Sequence, residues 1–237
     1  MYSLTRHQVL LPANLNMNSI SESIRQIRDE MPIEVRLVAV SKYQPVEKLM
    51  EAYKAGQRVF GESHAQEVTA KSKMLPEDID WHFIGHLQTN KVKYIAPFVS
   101  LIHSVDSLKL LKEIDRQAAK NGRIISCLLQ IHIADEETKF GLDETELSVL
   151  LESEEYGAMK NVRIDGLMCM ATNTDDEEKI RNEFRKVREM FDKVKSKYFG
   201  SAKHFKELSM GMSDDYPIAI QEGSTLIRVG SKIFGSR

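Results

Sequence analysis

Short apolar segments alternate with helix-like segments along this chain, and this alternation limits the possible folds more than any other feature. Apolar runs of four to eight residues, bounded by turn-forming residues, are typical of strands buried on both faces of a parallel sheet. The predicted strands are Leu37–Tyr43, Arg58–Glu62, Asp80–Gly85, Leu101–Val105, Ile124–Ile133, Arg163–Ala171, Glu207–Met210 and Leu226–Gly230. The predicted helices between them are Pro45–Ala55, His64–Leu75, Asn90–Ala96, Ser107–Asn121, Asp143–Glu155, Asp175–Tyr198 and Tyr216–Glu222.

About eight strand–helix units in 237 residues favour a single (β/α)8 TIM barrel, an α/β fold that usually needs about 250 residues. A doubly wound open sheet would show the same alternation. The count of eight, and the lack of an early Gly-x-Gly-x-x-Gly turn, favour the barrel. An extra helix is predicted from Met17 to Glu30, within an N-terminal arm and helix of residues 1–31. No linker divides the sequence, so we expect one domain over residues 1–237.

The composition excludes several classes of protein. A net charge of −2 gives no reason to expect nucleic acid or an anionic membrane as a partner. No apolar run approaches the roughly 20 residues that span a bilayer, and the N-terminus does not lead into a signal core. Cys127 and Cys169 lie far apart in apolar runs, so two buried thiols in a reducing cytoplasm are expected rather than a disulfide.

Lys42 is the first candidate for chemistry, because it follows the apolar run Leu37–Val40 at the exit of a buried strand. Desolvation there favours the neutral amine, which is the form that attacks a carbonyl. The alternative is a lysine whose charged end reaches solvent.

Two polar segments follow the last two predicted strands. In barrels, the loops after strands seven and eight often hold phosphate. The candidate phosphate contacts there are Ser209, Gly211, Ser213, Gly230 and Ser231. Asp214 and Asp215 suit the start of the following helix, where capping is the simpler explanation. A carbonyl-reactive lysine beside a phosphate site suggests pyridoxal phosphate, or alternatively an aldolase acting on a phosphosugar.

Other polar or sulfur-containing residues carry weaker signals. His82 and His86 have helical metal-site spacing, but they fall on a strand and its following loop, so we predict no metal site. His82 shares a face with Ile84, so a role in lining a pocket is one interpretation of it, and packing is the other. Met168 and Met170 are expected in barrel packing. Lys139 is expected to be a solvated loop lysine, and the alternative is a second lysine near the mouth of the barrel.

Several motifs, which follow one another in the same order as in one family, carry a resemblance over nearly the whole chain after Leu37. On these residues the chain resembles the pyridoxal phosphate homeostasis protein family, which is similar to the N-terminal barrel of alanine racemase among the fold-type III pyridoxal enzymes. The motifs are Leu37-Val38-Ala39-Val40-Ser41-Lys42, Val59-Phe60-Gly61-Glu62, Trp81-His82-Phe83-Ile84-Gly85-His86-Leu87-Gln88-Thr89-Asn90-Lys91, Lys139-Phe140-Gly141, Gly166-Leu167-Met168, Leu208-Ser209-Met210-Gly211-Met212-Ser213-Asp214-Asp215, Arg228-Val229-Gly230 and Ile233-Phe234-Gly235.

The resemblance implies roles for individual residues. Lys42 would carry pyridoxal 5'-phosphate as an internal aldimine, with phosphate contacts from Ser209, Gly230 and Ser231. Arg228 would face the pyridine nitrogen and, because it does not give up its proton, leave that nitrogen unprotonated. The chain departs from the family pattern at Ser63, where asparagine is usual, and at Ser231, where threonine is frequent.

The resemblance implies a protein that buffers or delivers pyridoxal phosphate inside the cell without evident turnover. Its partners would be the cofactor and pyridoxal-dependent apo-enzymes, and we expect a monomer. The alternatives are an amino-acid racemase and a Schiff-base aldolase. A two-base racemase needs a second acid–base group, which alanine racemases take from a C-terminal domain that we do not expect here. Tyr43 and Tyr216 are possible substitutes.

Overall fold

A computed structural model describes residues 19–133 and 140–235 of the chain, and these form a barrel of parallel strands wrapped by helices. Each strand pairs with the next along the chain, and β8 pairs with β1 from Arg36↔Leu226 to Ala39↔Val229. This last pairing closes the sheet and confirms the predicted TIM barrel over the open-sheet alternative. The strands are β1 Arg36–Val40, β2 Val59–Glu62, β3 Asp80–Phe83, β4 Leu101–Val105, β5 Ile125–Ile131, β6 Val162–Cys169, β7 Glu207–Ser209 and β8 Leu226–Val229.

Helices follow the strands and cover the outside of the barrel. They are α1 Ile20–Asp29, α2 Val46–Lys54, α3 Ala65–Lys71, α4 Val92–Ile95, α5 Leu108–Lys120, α6 Glu144–Glu152, α7 Glu154–Ala158, α8 Glu177–Val194, α9 Tyr216–Gln221 and α10 Ser231–Phe234. A short 3-10 turn, Thr89–Lys91, precedes α4, and a π-helical turn, Lys195–Phe199, continues α8. In the part of the chain that is described, no helix has the length and apolar character needed to cross a membrane.

The extra N-terminal helix is present in the described residues as α1. Ser19 and Glu22 form a capping box that satisfies its first free backbone N–H groups. The predicted apolar stripe of Ile20, Ile24 and Ile27 is buried, and α1 packs against α2 and α10. The helix therefore sits beside the junction between the first and last units of the barrel.

The predicted boundaries were less accurate than the predicted elements. Strand β1 ends at Val40, so Lys42 lies in the loop beyond the strand rather than within it. The predicted helix Asp143–Glu155 is two helices, α6 and α7, because Ser153 takes an extended conformation between them and caps the second.

Two apolar layers support this arrangement. Inside the barrel, buried side chains from five strands pack together: Val38, Leu101, Leu128, Met168 and Leu226. A much larger cluster fills the space between the strands and the helices, and it includes both cysteines. Met168 is thus a packing residue as predicted, whereas Met170 lines a cavity at the mouth of the barrel.

Candidate functional site

A cavity opens at the C-terminal ends of the strands, where TIM barrels hold their ligands. Its volume of about 290 Å³ lies near the lower limit of typical small-molecule pockets. It is bordered by the exits of β1, β2, β3 and β8 and by the loops after β6 and β7. The lining residues are Val40, Lys42, Gln44, Ser63, Ile84, Met170, Met212, Ser213, Asp214, Arg228, Gly230, Ser231 and Gly235.

Five of the seven site residues predicted from the sequence line this cavity. They come from opposite ends of the chain, and the closure of β8 onto β1 brings them together. The five are Lys42, Ser213, Arg228, Gly230 and Ser231.

The other two predicted residues, Ser209 and Gly211, do not line the cavity. Ser209 is fully buried in the barrel interior, where its hydroxyl contacts His103 and Arg228. Gly211 has a left-handed φ of 87°, and a Cβ there would lie 2.6 Å from the Cβ of Ala219 and 2.8 Å from the Cα of Tyr216. Close packing of α9 therefore explains this glycine, and direct phosphate contact from either residue does not fit the observed placement.

A tight turn places Lys42 at the cavity. The Ser41 N–H donates to the carbonyl of Gly61, which extends the β1–β2 ladder by one residue. The Gln44 N–H then donates to the Ser41 carbonyl, and Tyr43 adopts a positive φ of 63°. A left-handed conformation is costly for a residue that has a Cβ, so the surrounding contacts must hold this turn in place.

Lys71 supplies the main contacts that hold the turn. Its ammonium group donates to the Ser41 carbonyl at 2.8 Å, to Oε1 of Glu62 at 2.8 Å and to Oε1 of Glu67 at 2.7 Å. Oε1 of Glu67 also accepts from the Tyr43 N–H at 2.6 Å. The residues on both sides of Lys42 are therefore tied to one buried lysine on α3.

Glu62 is the buried carboxylate of this cluster. Its side chain has no exposed surface, and Oε1 also accepts from the Ser41 hydroxyl at 2.6 Å. Burial raises the pKa of Glu62, and the hydrogen bonds from Lys71 and Ser41 oppose that change. Within residues 19–133 and 140–235, Oε2 of Glu62 has no hydrogen-bond partner. The cost of burying the negative charge of Glu62 is therefore offset mainly by the ammonium group of Lys71.

The opposite wall of the cavity joins the exits of β7 and β8. The Gly230 N–H donates to the Ser213 hydroxyl at 3.3 Å, which links the two loops. Ser231 begins the short helix α10 and is exposed, whereas Ser213 is buried. A Cβ on Gly230 would lie 3.1 Å from the carbonyl oxygen of Val40, so a small residue lets this loop approach β1 closely.

Arg228 forms the floor of the cavity and is only 4% exposed. One of its terminal nitrogens donates to the Ser209 hydroxyl at 2.5 Å, and the other donates to the carbonyl of Cys169 at 2.9 Å. Burial lowers the pKa of Arg228, but a guanidinium keeps its proton at neutral pH even so. The cavity floor therefore carries a fixed hydrogen-bond donor with a positive charge.

The remaining candidates lie elsewhere. His82 is buried inside the barrel and contacts His103, whereas His86 stacks on Phe140 at the rim, so the two predicted histidines do not share a site. The cavity does not include His82 among its lining residues. Lys139 lies outside the described residues.

Sequence reasoning missed His103, Glu62 and Lys71 as parts of the site. His103 carried a usable signal, since it interrupts the apolar strand Leu101–Val105 and buried polar side chains require partners. Lys71 carried none, because a lysine in a charged helix is ordinarily solvated.

Comparison with known proteins places this geometry in a family. The family model for the alanine racemase N-terminal domain matches residues 15–237. A pyridoxal phosphate homeostasis protein of Aquifex aeolicus is 41% identical over 204 residues, covering 85% of this chain and 87% of that protein. The structure of PipY from Synechococcus elongatus with pyridoxal phosphate bound has a TM-score of 0.84 and 36% identity, covering 92% of this chain and all of PipY.

Alanine racemases share the fold at a greater distance. The enzyme of Streptomyces coelicolor has a TM-score of 0.71 and 17% identity, and the match covers 92% of this chain but 58% of the racemase. The chain therefore belongs to the pyridoxal phosphate homeostasis protein family and shares its barrel with the N-terminal domain of alanine racemase.

Proposed function

We propose that this protein binds pyridoxal 5'-phosphate through a Schiff base to Lys42 and serves intracellular homeostasis of the cofactor by buffering or delivering it, without catalytic turnover. One observation carries the proposal. A single cavity of about 290 Å³ is lined by the amine-bearing Lys42, the guanidinium of Arg228 and the hydroxyl-bearing loops of Ser213 and Ser231.

These groups match the chemistry of the cofactor. A primary amine suits its aldehyde, and hydroxyl and backbone N–H donors of the Gly230–Ser231 turn suit its phosphate. The guanidinium of Arg228 suits the lone pair of a pyridine nitrogen, since it donates and cannot accept. The name of the Aquifex relative and the bound cofactor of PipY support the same assignment.

The bound cofactor supplies an electrophilic aldehyde and, through its ring, a sink for electrons. The Lys42 amine adds to the aldehyde carbon, a C=N bond forms and water leaves. Arg228 holds the ring nitrogen as an acceptor, without giving it a proton. An unprotonated ring stabilises negative charge at the substrate carbon less well, so Arg228 favours retention of the cofactor over catalysis on it.

The visible absorption spectrum and the borohydride-reduced mass of the purified protein test the covalent assignment. Wild type should show an aldimine band and, after reduction, a pyridoxyl adduct on the peptide that contains Lys42. Lys42→Ala should lose both, whereas the matched control Lys54→Ala, on the exposed face of α2, should keep both. An undiminished aldimine in Lys42→Ala, with the adduct on another lysine, would contradict the proposal.

The absence of turnover requires a separate assay. Pure protein is incubated with L-alanine and other L-amino acids in deuterated water, and both D-isomer and α-deuterium are measured. We expect at most slow exchange, because any Schiff base weakens the α-C–H bond somewhat. Several turnovers per second of D-isomer, abolished by Lys42→Ala, would establish the racemase alternative instead.

A further inference from the structure

A continuous line of polar side chains crosses the interior of the barrel beneath the cavity. Arg228 contacts the Ser209 hydroxyl at 2.5 Å, Ser209 contacts Nδ1 of His103 at 2.9 Å, and Nε2 of His103 contacts Nδ1 of His82 at 3.0 Å. All four residues are at most 4% exposed. Four strands thus contribute one side chain each to a single hydrogen-bonded line.

The line ends on a carboxylate at the other side of the barrel. Nε2 of His82 lies 3.4 Å from Oδ2 of Asp80, the first residue of β3. Burial of Asp80 opposes its ionisation, but its contacts with His82, Ser100 and Arg36 prevail and lower its pKa to about 2. A cation at the C-terminal end of the barrel is therefore linked to an anion at the N-terminal end through three polar groups.

The chemistry of the two ends favours one arrangement of the protons along this line. Arg228 can only donate, and an ionised Asp80 can only accept. An ionised Asp80 at 3.4 Å favours a proton on Nε2 of His82, and in a neutral His82 ring the bare Nδ1 then accepts from Nε2 of His103. Burial, together with the nearby charges of Arg228 and Arg36, holds the pKa of His103 well below its usual value, so this ring is neutral; with its proton on Nε2, its Nδ1 is bare and accepts from Ser209. Every hydrogen bond then points from Arg228 towards Asp80.

The direction of these hydrogen bonds matters because few other contacts offset the cost of burying the positive charge of Arg228. In the described part of the chain, no carboxylate lies within ion-pair distance of its guanidinium, which donates to a hydroxyl and to a carbonyl. A hydroxyl that gives its own proton to His103 presents both lone pairs to the guanidinium. Hydrogen bonds in such a chain polarise one another, which strengthens the contact that fixes Arg228.

We infer that Ser209 and His103 are positioning residues for Arg228, and that the ordered line from Arg228 to Asp80 sets the hydrogen bond offered to the ring nitrogen of the ligand. The inference rests on the proposed function, because it takes pyridoxal phosphate as that ligand. It assigns Ser209 a role inside the barrel in place of a phosphate contact.

The first test compares two ligands that differ at the ring nitrogen alone: pyridoxal 5'-phosphate and its 1-deaza analogue, in which CH replaces that nitrogen. Wild type should bind the natural cofactor at least about tenfold more tightly than the analogue, as expected for a hydrogen bond from a charged donor. Ser209→Ala should remove most of that preference by weakening the natural cofactor alone.

Two variants of His103 repeat the test, one that keeps an acceptor for Ser209 and one that removes it. The side chain of His103→Asn can still accept from Ser209 near the position of Nδ1, and it should retain much of the preference. His103→Leu fills the space without an acceptor and should lose it. If Ser209→Ala or His103→Leu weakens both ligands equally, the line is a structural element only and the inference is overturned.

A second measurement determines the protonation of the histidine rings directly, and it uses wild type without ligand. Two-dimensional ¹⁵N–¹H spectra of the histidine rings in ligand-free wild type should show His82 and His103 as neutral rings protonated at Nε2. A proton on Nδ1 of either ring, or a doubly protonated His82, would reverse the order of the line and overturn the inference. Wild type that fails to bind pyridoxal phosphate at all would refute the proposed function instead, so the two failures are distinguishable.

Discussion

Replacing Lys71 with methionine should destabilise the protein strongly, although this lysine lies outside the cavity. Methionine preserves most of the volume but removes three hydrogen bonds, and it leaves the Glu62 carboxylate and the Ser41 carbonyl without their cation. Removing one partner of a buried ion pair costs about 3–5 kcal/mol. Because the Glu67 side chain is 21% exposed and can turn to water, we expect about 3 kcal/mol, or roughly 6–12 °C in melting temperature for a chain of this size.

The loss of stability in Lys71→Met should depend on pH, and its direction follows from the pKa of Glu62. Burial already raises the pKa of Glu62, and removing Lys71 removes two influences that lower it. In the variant, folded Glu62 therefore holds a proton over a pH range in which the unfolded chain has released it. The free energy of unfolding of Lys71→Met then falls, relative to wild type, as pH rises through that range. The deficit should be clearly smaller near about pH 5 than near about pH 7.5.

Urea denaturation at both pH values measures the effect. Lys73→Met, an exposed change just beyond α3, is the matched control and should be nearly neutral. The double variant Glu62→Gln/Lys71→Met should recover more than half of the loss, since the amide needs no cation and can still accept from Ser41. An equal deficit at both pH values, or no recovery in the double variant, would show that Glu62 is not the group left uncompensated.

Two further changes test other parts of the site. Ser231→Ala should weaken pyridoxal 5'-phosphate by roughly ten- to a hundred-fold, as expected for a lost hydrogen bond to a charged group, and should change the affinity for unphosphorylated pyridoxal little; equilibrium titration of both ligands measures this, and equal weakening would count against a phosphate role. Gly211→Ala should cost about 2–5 kcal/mol in urea denaturation, because it combines a left-handed φ with contacts to α9 below 3 Å. Gly122→Ala is its control, with a left-handed φ of 62° but nothing within 4 Å of the added carbon, and should cost only about 1 kcal/mol; similar losses for the two would show that packing against α9 is not the constraint.

The barrel was predictable because its signal is local and repeated. Most strands are buried on both faces and read as apolar runs, and a single misplaced boundary does not change their order. Closure was not visible in the periodicity, since it depends on a pairing between the first and last strands, such as Val38↔Arg228.

The site was predictable to the extent that it follows strand exits. That rule placed Lys42, Ser213, Arg228, Gly230 and Ser231 on one cavity. It misplaced Ser209, because a residue inside a strand can face the barrel interior below the mouth. The contact between Ser209 and His103 joins residues 106 positions apart, and no sequence pattern indicates such a pair.

The two lysines near the exit of β1 show why burial alone does not select a reactive amine. Lys71 is the more buried of the two, with a side chain 7% exposed, and a rule based on desolvation would choose it. Its three N–H donors are nevertheless matched by three oxygen atoms, two of them carboxylate oxygens, which stabilise the charged ammonium and leave no lone pair for a carbonyl. Lys42 is half-buried and lines the cavity that Arg228 and Ser231 share. The same contacts that exclude Lys71 as a nucleophile fix the backbone on both sides of Lys42. Under the proposed function, Lys71 holds the loop and Lys42 supplies the amine. Lys71→Met should then slow Schiff-base formation, followed by the growth of the aldimine band, without moving the borohydride-reduced adduct to another residue.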